Sequence, residues 1–184
     1  MLEVAESSNL PVQEARAGDA TAWDTLFRRY QLPLYVYVFE LVRDEQASLD
    51  VVQETFISAV RNIGGLRNNE KFGSWVFGIA HQKCIQHWRK QSRVQGLDAG
   101  DLDSVSDDDP NPRDWLIHKE QEAEFMTRLN QLLPDQRAVI LLHFVEDFSL
   151  EEIAAITGNP IGTVKSRLHY AKKELRKLLE KGRP

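Results

Sequence analysis

Cysteine occurs once in the 184 residues, at Cys84, which excludes an internal disulfide and a multi-thiolate zinc site and fits a reducing compartment. No run of 18 apolar residues occurs, so no helix is expected to insert in a membrane. The amino terminus carries Glu3 and Glu6 and lacks a basic start before an apolar core, so no secretory signal is read there and a cytoplasmic protein is expected. Strand signals are almost absent too. Only Leu34 to Phe39, LYVYVF, alternates aromatic and β-branched residues, and with no second strand to pair it reads as helix. With 42% hydrophobic and 28% charged residues the chain falls in the soluble globular class, of a length that suits two small domains.

An excess of basic charge is also lacking, and the net charge of −5 taken alone argues against nucleic acid. Its distribution argues otherwise. Residues 71–93 hold five basic and no acidic side chains, and residues 160–184 hold eight basic and two acidic. Between them, residues 94–125 hold ten acidic and two basic. Two basic patches separated by an acidic stretch point to two phosphate-facing surfaces on a protein otherwise repelled by DNA.

The stretch 94–113, VQGLDAGDLDSVSDDDPNPR, is rich in Asp, Ser, Gly and Pro and poor in large apolar residues, and reads as an acidic flexible linker. The expected fold is all-α, with small helical domains at 10–93 and 114–182. In the first, helices are expected at about 11–17, 20–31, 33–43, 46–63 and 71–92, with Asp19 as a cap and Pro33 in a first turn. In the second they are expected at about 114–131, 135–145, 150–156 and 160–181.

Ser149 and Glu152 have capping-box spacing before a short helix carrying Ile153, Ala154 and Ile156. Thr157-Gly158-Asn159 makes a tight connection, and Asn159-Pro160 supplies a cap and a proline for the next helix. On that helix Ile161, Val164, Leu168, Ala171, Leu175 and Leu178 follow offsets of three and four, an apolar face, whereas Lys165, His169, Lys172, Lys173 and Arg176 lie on another. A short helix, a glycine turn and a two-faced basic helix make a helix-turn-helix, with residues early in the second helix reaching base edges.

SLEEIAAITGNPIGTVKSRLHYAKKELRKLL resembles the minus-35-reading region of extracytoplasmic-function sigma factors of the sigma-70 family. GDATAWDTLFRRY with ASLDVVQETF resembles their polymerase-binding segment, and KFGSWVFGIAHQKCIQHWRK their minus-10 segment, so the resemblance spans about 11–182 in the family's order. It implies a factor that binds core RNA polymerase and directs promoter recognition, melting and transcription initiation. It also implies an anti-sigma partner, and a linker threading near the RNA path, where Asp107 to Asp109 either mimic nucleic acid or merely keep a spacer solvated.

On the helix SLDVVQETFISAVRNI, periodicity places Leu49, Val52, Phe56, Ala59, Val60 and Ile63 on one side and Asp50, Gln53, Glu54 and Arg61 on the other, with Ile57 among the polar groups. An apolar residue ringed by polar ones is either a single exposed isoleucine or a small interface hot spot. The resemblance implies the latter, with Asp50, Gln53, Glu54 and Ile57 binding polymerase.

The next helix combines Lys71, Lys83, Arg89, Lys90 and Arg93 with Phe72, Trp75, Phe77 and Trp88, a mixture suited to single-stranded DNA, since cations track phosphate while rings stack on bases. Trp75 and Ile79 are expected at least partly in the core. The resemblance implies minus-10 contacts from Lys71, Trp75, Gln82, Lys83, Gln86, Arg89 and Lys90, with Gln82 near a pocket for a flipped base. It implies minus-35 contacts from Thr163, Lys165, Ser166, His169, Tyr170, Lys172 and Lys173. Gly78, Gln86 and Tyr170 depart from residues common in the family, so promoter preference does not transfer.

His81, Cys84 and His87 lie three apart and invite a metal reading, but this spacing rotates around a helix and offers no fourth ligand. No metal, cofactor or catalytic residue is expected. The competing reading is a polymerase-independent helix-turn-helix regulator, which leaves the ASLDVVQETF surface and the aromatic basic helix without a role.

Overall fold

The computed structural model describes residues 10–95 and 126–181, and every regular element among them is helical. They divide into two compact units, the first drawn from residues up to 100 together with 155–158 and the second from the other residues beyond 100. Most of the expected linker, and of the helix expected at 114–131, lies outside the described residues; 126–129 are helical.

The first unit contains α1 (Val12–Arg16), α2 (Ala20–Val42), α3 (Glu45–Asn62) and α4 (Phe72–Gln95), with α2, α3 and α4 packed on one another. Caps set the starts. The Asp19 carboxylate accepts from the N–H groups of Thr21 at 2.7 Å and Ala22 at 3.1 Å, and Asp44 accepts from Ala47 at 2.7 Å. The two helices expected at 20–31 and 33–43 are one, with Pro33 inside it. An internal proline costs about 3 kcal/mol, but Tyr30, Leu34, Tyr37, Val38 and Leu41 on either side of the junction are all buried. Burying such side chains returns roughly 1.5–3 kcal/mol each, enough to carry the helix through the missing donor. The LYVYVF segment is helical, as expected.

The core joins these α2 residues to Val51, Val52, Phe56 and Ala59 of α3 and to Phe72, Val76, Phe77 and Ala80 of α4. Tyr30 packs on Phe72 and Tyr37 on Phe77, each pair with ring centroids 5.4 Å apart. Arg16 ties α1 to the connection between α3 and α4, donating to the Leu66 carbonyl and to Asn69 Oδ1, while the Asn69 amide donates to Gln13.

Beyond the first unit's helices follow α5 (Pro134–Ile140), α6 (Leu150–Thr157) and α7 (Ile161–Lys181); the second unit holds α5, α6 up to Ala154, and α7, and α5 packs on α7. The helix expected at 135–145 is α only to Ile140. Its last turn, Leu141–Val145, widens to a π turn, closed by the Glu146 N–H on the Leu141 carbonyl at 3.1 Å. Arg137 is buried, with Nε donating to the Leu129 carbonyl at 3.1 Å and Nη2 to Asn130 at 3.0 Å and Leu132 at 2.9 Å. One guanidinium thus bonds carbonyls at and just beyond the end of the preceding helix, where intrahelical donors run out, and only that of Leu129 also accepts from a nearby N–H, of Leu132 at 3.1 Å.

Glu146 is buried at the end of the π turn, one of its carboxyl oxygens has no hydrogen-bond partner, and burial pushes its pKa up to about 7. Between ordinary carboxylate values and that value the folded protein holds a proton that the unfolded chain has lost, so stability falls as pH rises through this window. Glu146→Gln is therefore expected to stabilise the second unit by about 1–3 kcal/mol near pH 8 and by little near pH 4. Urea unfolding of the full chain at both values checks this, and an equal gain at both would assign the effect to something other than titration.

Candidate nucleic-acid and protein interfaces

The helix-turn-helix is built from reciprocal local bonds. Ser149 Oγ accepts from the Glu152 N–H at 3.2 Å, while Glu152 Oε2 accepts from the Ser149 N–H at 3.0 Å and its hydroxyl at 2.9 Å, a complete capping box. Gly158 turns the chain with φ of +68°, a left-handed conformation that side chains with a Cβ resist. The next helix starts one residue later than expected: the Pro160 carbonyl, not that of Asn159, accepts from the Val164 N–H at 3.1 Å.

On α7, Val164, Leu168, Ala171 and Leu175 are buried, as the periodicity requires, while Ile161 at its start is exposed rather than part of that face. Lys165, Tyr170 and Lys173 are exposed, and Thr163, His169, Lys172 and Arg176 are half-buried. Ser166, expected beside them, is buried: its short side chain folds back and Oγ donates to the Thr163 carbonyl at 3.0 Å. The imidazole of His169 meets the Tyr170 ring edge-on at 5.6 Å. The accessible face is therefore cationic around two aromatic rings.

On α4, Gln82, Gln86, Arg89 and Lys90 are exposed at offsets of four, three and one, a single stripe of amides and cations. Lys71, at the end of the turn before α4, is exposed too. Trp75, Ile79 and Trp88 are half-buried, whereas Phe72 and Phe77 are wholly buried and leave the set of rings that could stack on bases. Lys83 is half-buried and pairs with Glu54 of α3 at 3.2 Å, joining two side chains expected to serve different partners.

The face of α3 differs from the one periodicity predicts. Asp50, Gln53, Glu54 and Arg61 are exposed as expected, but so are Leu49 and Val60, at 48% and 51%, beside Ile57 at 43%. Ser48 and Thr55 take the inward positions. Their hydroxyls donate to carbonyls four residues back, Ser48 to Asp44 at 2.6 Å and Thr55 to Val51 at 2.7 Å, so burial leaves neither unsatisfied. Leu49, Gln53, Ile57 and Val60 then form one stripe at offsets of four, four and three, wider than the single isoleucine the sequence indicates. Phe27 of α2 is also exposed, its ring tilted on Phe56 at 4.8 Å.

His81 is buried with Nδ1 2.8 Å from the Tyr37 hydroxyl, and among the described residues no group of three His, Cys, Asp or Glu is placed to hold a metal ion. Cys84 is fully buried, which pushes its thiol up to about 12. At mildly alkaline pH that leaves roughly a thousandfold less thiolate than an ordinary cysteine carries. Iodoacetamide should label Cys84 only after denaturation, and rapid labelling of the native chain would contradict its burial.

Arg137 and the widened stripe escape sequence reasoning. An arginine among apolar residues, RAVILL, signals a satisfied buried cation, but its acceptors are main-chain atoms that leave no mark in the sequence.

Comparison with known proteins gives one answer for both units. The Sigma-70 region 2 family profile matches residues 26–94 and the Sigma-70, region 4 profile matches residues 122–175. The RNA polymerase sigma-H factor of Pseudomonas aeruginosa is 31% identical over 177 residues, covering 92% of each chain. The extracytoplasmic-function sigma factor SigW of Bacillus subtilis is 28% identical, covering 91% of this chain and 94% of its own. Among solved structures, the sigma factor RpoE in complex with the anti-sigma factor NepR from Bartonella quintana superposes with a TM-score of 0.64 at 29% identity, covering 86% of this chain and 98% of that one. CnrH, solved with the cytosolic domain of CnrY, shares the fold with a TM-score of 0.68 at 22% identity, covering 97% of this chain and all of the other.

Proposed function

Because this chain belongs to the extracytoplasmic-function group of the sigma-70 family and is an RNA polymerase sigma factor, we propose a division of that work among its three outward helix faces. In the first domain, 10–93, the α3 stripe docks on core polymerase and the α4 stripe holds the opened minus-10 strand. In the second, 114–182, α7 reads the minus-35 element. The observation that carries this reading is that the three faces differ in chemistry: apolar with an acidic rim on α3, amide and cation on α4, cation around aromatic rings on α7.

Asp50, Gln53, Glu54 and Ile57 contact polymerase together with Leu49 and Val60, which the structure adds to the face. Lys71, Trp75, Gln82, Lys83, Gln86, Arg89 and Lys90 serve the minus-10 element, with the Gln82 amide able both to donate and to accept. Lys165, His169, Tyr170, Lys172 and Lys173 serve the minus-35 element, with Thr163 at their edge. Strand opening draws on binding: unstacking a base costs a few kcal/mol, offset when the base is captured. The family works by binding, and this reading assigns no catalytic residue. The factor acts in the cytoplasm beside the polymerase and is held by an anti-sigma partner. No helix among the described residues is long and apolar enough to cross a membrane. The polymerase-independent regulator is not favoured, because both family profiles match in order.

The test is promoter binding by the reconstituted holoenzyme. Lys172→Ala should weaken binding to all sequences alike and lower the salt slope by about one unit, whereas Lys165→Ala should change which minus-35 sequence is preferred, by about 1–3 kcal/mol at one base pair. Equal losses on every promoter variant with Lys165→Ala would remove that side chain from base reading.

A further inference from the structure

Arg167 lies in the middle of the basic helix, yet it is not part of the basic face. Successive α-helical residues turn by about 100°, so Arg167 sits roughly 200° around the axis from Lys165. Its side chain is largely buried, 20% exposed, and Nη2 meets Asp135 Oδ2 at 2.7 Å, the aspartate side chain being half exposed at 50%. Asp135 stands in the first turn of α5, where the peptide dipoles favour a negative charge. Two residues further along α5, Arg137 grips the carbonyls that end the preceding helix. The short α5 is thus anchored twice, through Arg137 to what precedes it and through Asp135 to the recognition helix.

Beside this pair runs a buried apolar row of α7, Val164, Leu168, Ala171 and Leu175. Apolar contacts are non-directional and tolerate a helix rolling by some degrees. A short, charge-assisted hydrogen bond off to one side of that row does not, because its geometry is directional. Rolling α7 would carry Lys165, His169 and Lys172 together across the groove they read.

We propose that Asp135 is a positioning residue for promoter recognition: by holding Arg167 it sets the rotation of α7, without touching DNA itself. The proposal rests on the assignment of α7 as the minus-35 reader and adds a residue on another helix to it. It predicts an effect on discrimination between sequences rather than on overall attraction to phosphate.

The experiment uses the full chain with core polymerase on a promoter recovered by run-off transcription, paired with a copy altered only in the minus-35 bases. Asp135→Asn should reduce the preference for the original promoter by about two- to fivefold, with core binding and melting temperature unchanged, in keeping with the modest strength of a part-exposed pair. The double charge swap, Asp135→Arg with Arg167→Asp, should recover most of the preference, while Arg167→Asp alone should not. Stronger binding of Asp135→Asn to both promoters, with a steeper salt dependence, would overturn the proposal, since Asp135 would then be masking a phosphate contact. Failure of the charge swap to recover the preference would overturn it too. Unaltered holoenzyme indifferent to the minus-35 bases would instead refute the assignment of α7, and the proposal with it.

Discussion

Arg137→Met should destabilise the second unit by about 3–5 kcal/mol while leaving the first unit folded. The methionine fills much of the arginine's volume but offers no donor, so the carbonyls of Asn130 and Leu132 lose their guanidinium bonds and that of Leu129 keeps only the Leu132 N–H. Each buried polar group left unpaired costs roughly 1–3 kcal/mol, and the environment built around the cation is lost as well. Arg137→Lys keeps the charge but cannot span three carbonyls with one compact ammonium, so about half the loss should remain. Urea unfolding followed by circular dichroism, with hydrogen exchange read across residues 126–145, locates the effect. A loss under about 1 kcal/mol would mean that water replaces the guanidinium and that the clamp contributes little.

Ile57→Glu should weaken binding to core polymerase by about 30-fold to 1,000-fold without changing the melting temperature. The side chain is 43% exposed, so folding gains little from it. It lies between Gln53 and Val60 on the stripe proposed to dock, and truncation at the centre of an interface typically costs 2–4 kcal/mol. A carboxylate there adds a desolvation penalty on a face already rimmed by Asp50 and Glu54. Leu49→Glu and Val60→Glu should act in the same direction with smaller effects, since they stand at the ends of the stripe. Fluorescence anisotropy with labelled factor measures this, and an affinity within threefold of the unaltered chain would move the docking surface elsewhere.

The parts of this structure that were legible in the sequence are those governed by local chemistry. Asp19, Ser149 with Glu152, and Gly158 act within a few residues of themselves, so their types and spacing announce helix starts and the turn. The buried row of α7 was legible for the same reason. What escaped depends on partners distant in sequence or on atoms every residue possesses. Pro33 reads as a helix start until the packing of Tyr30, Leu34 and Tyr37 is known. Leu49 and Val60 read as inward residues because hydropathy gives no sign that Ser48 and Thr55, whose hydroxyls return to their own helix, take inward positions instead. Ser166 misleads in the same manner on α7. The family resemblance pointed to the α3 surface as a region but carried no information on which extra apolar residues are exposed beside it in this chain.

The central claim is that these faces act together on polymerase, and run-off transcription over a genomic fragment library with purified core polymerase tests it most directly. The expected result is a set of discrete transcripts that appear only when the chain is added, share two upstream elements, and vanish with Ile57→Glu. A chain that binds DNA fragments by itself, fails to bind core polymerase and yields no transcript would contradict the account.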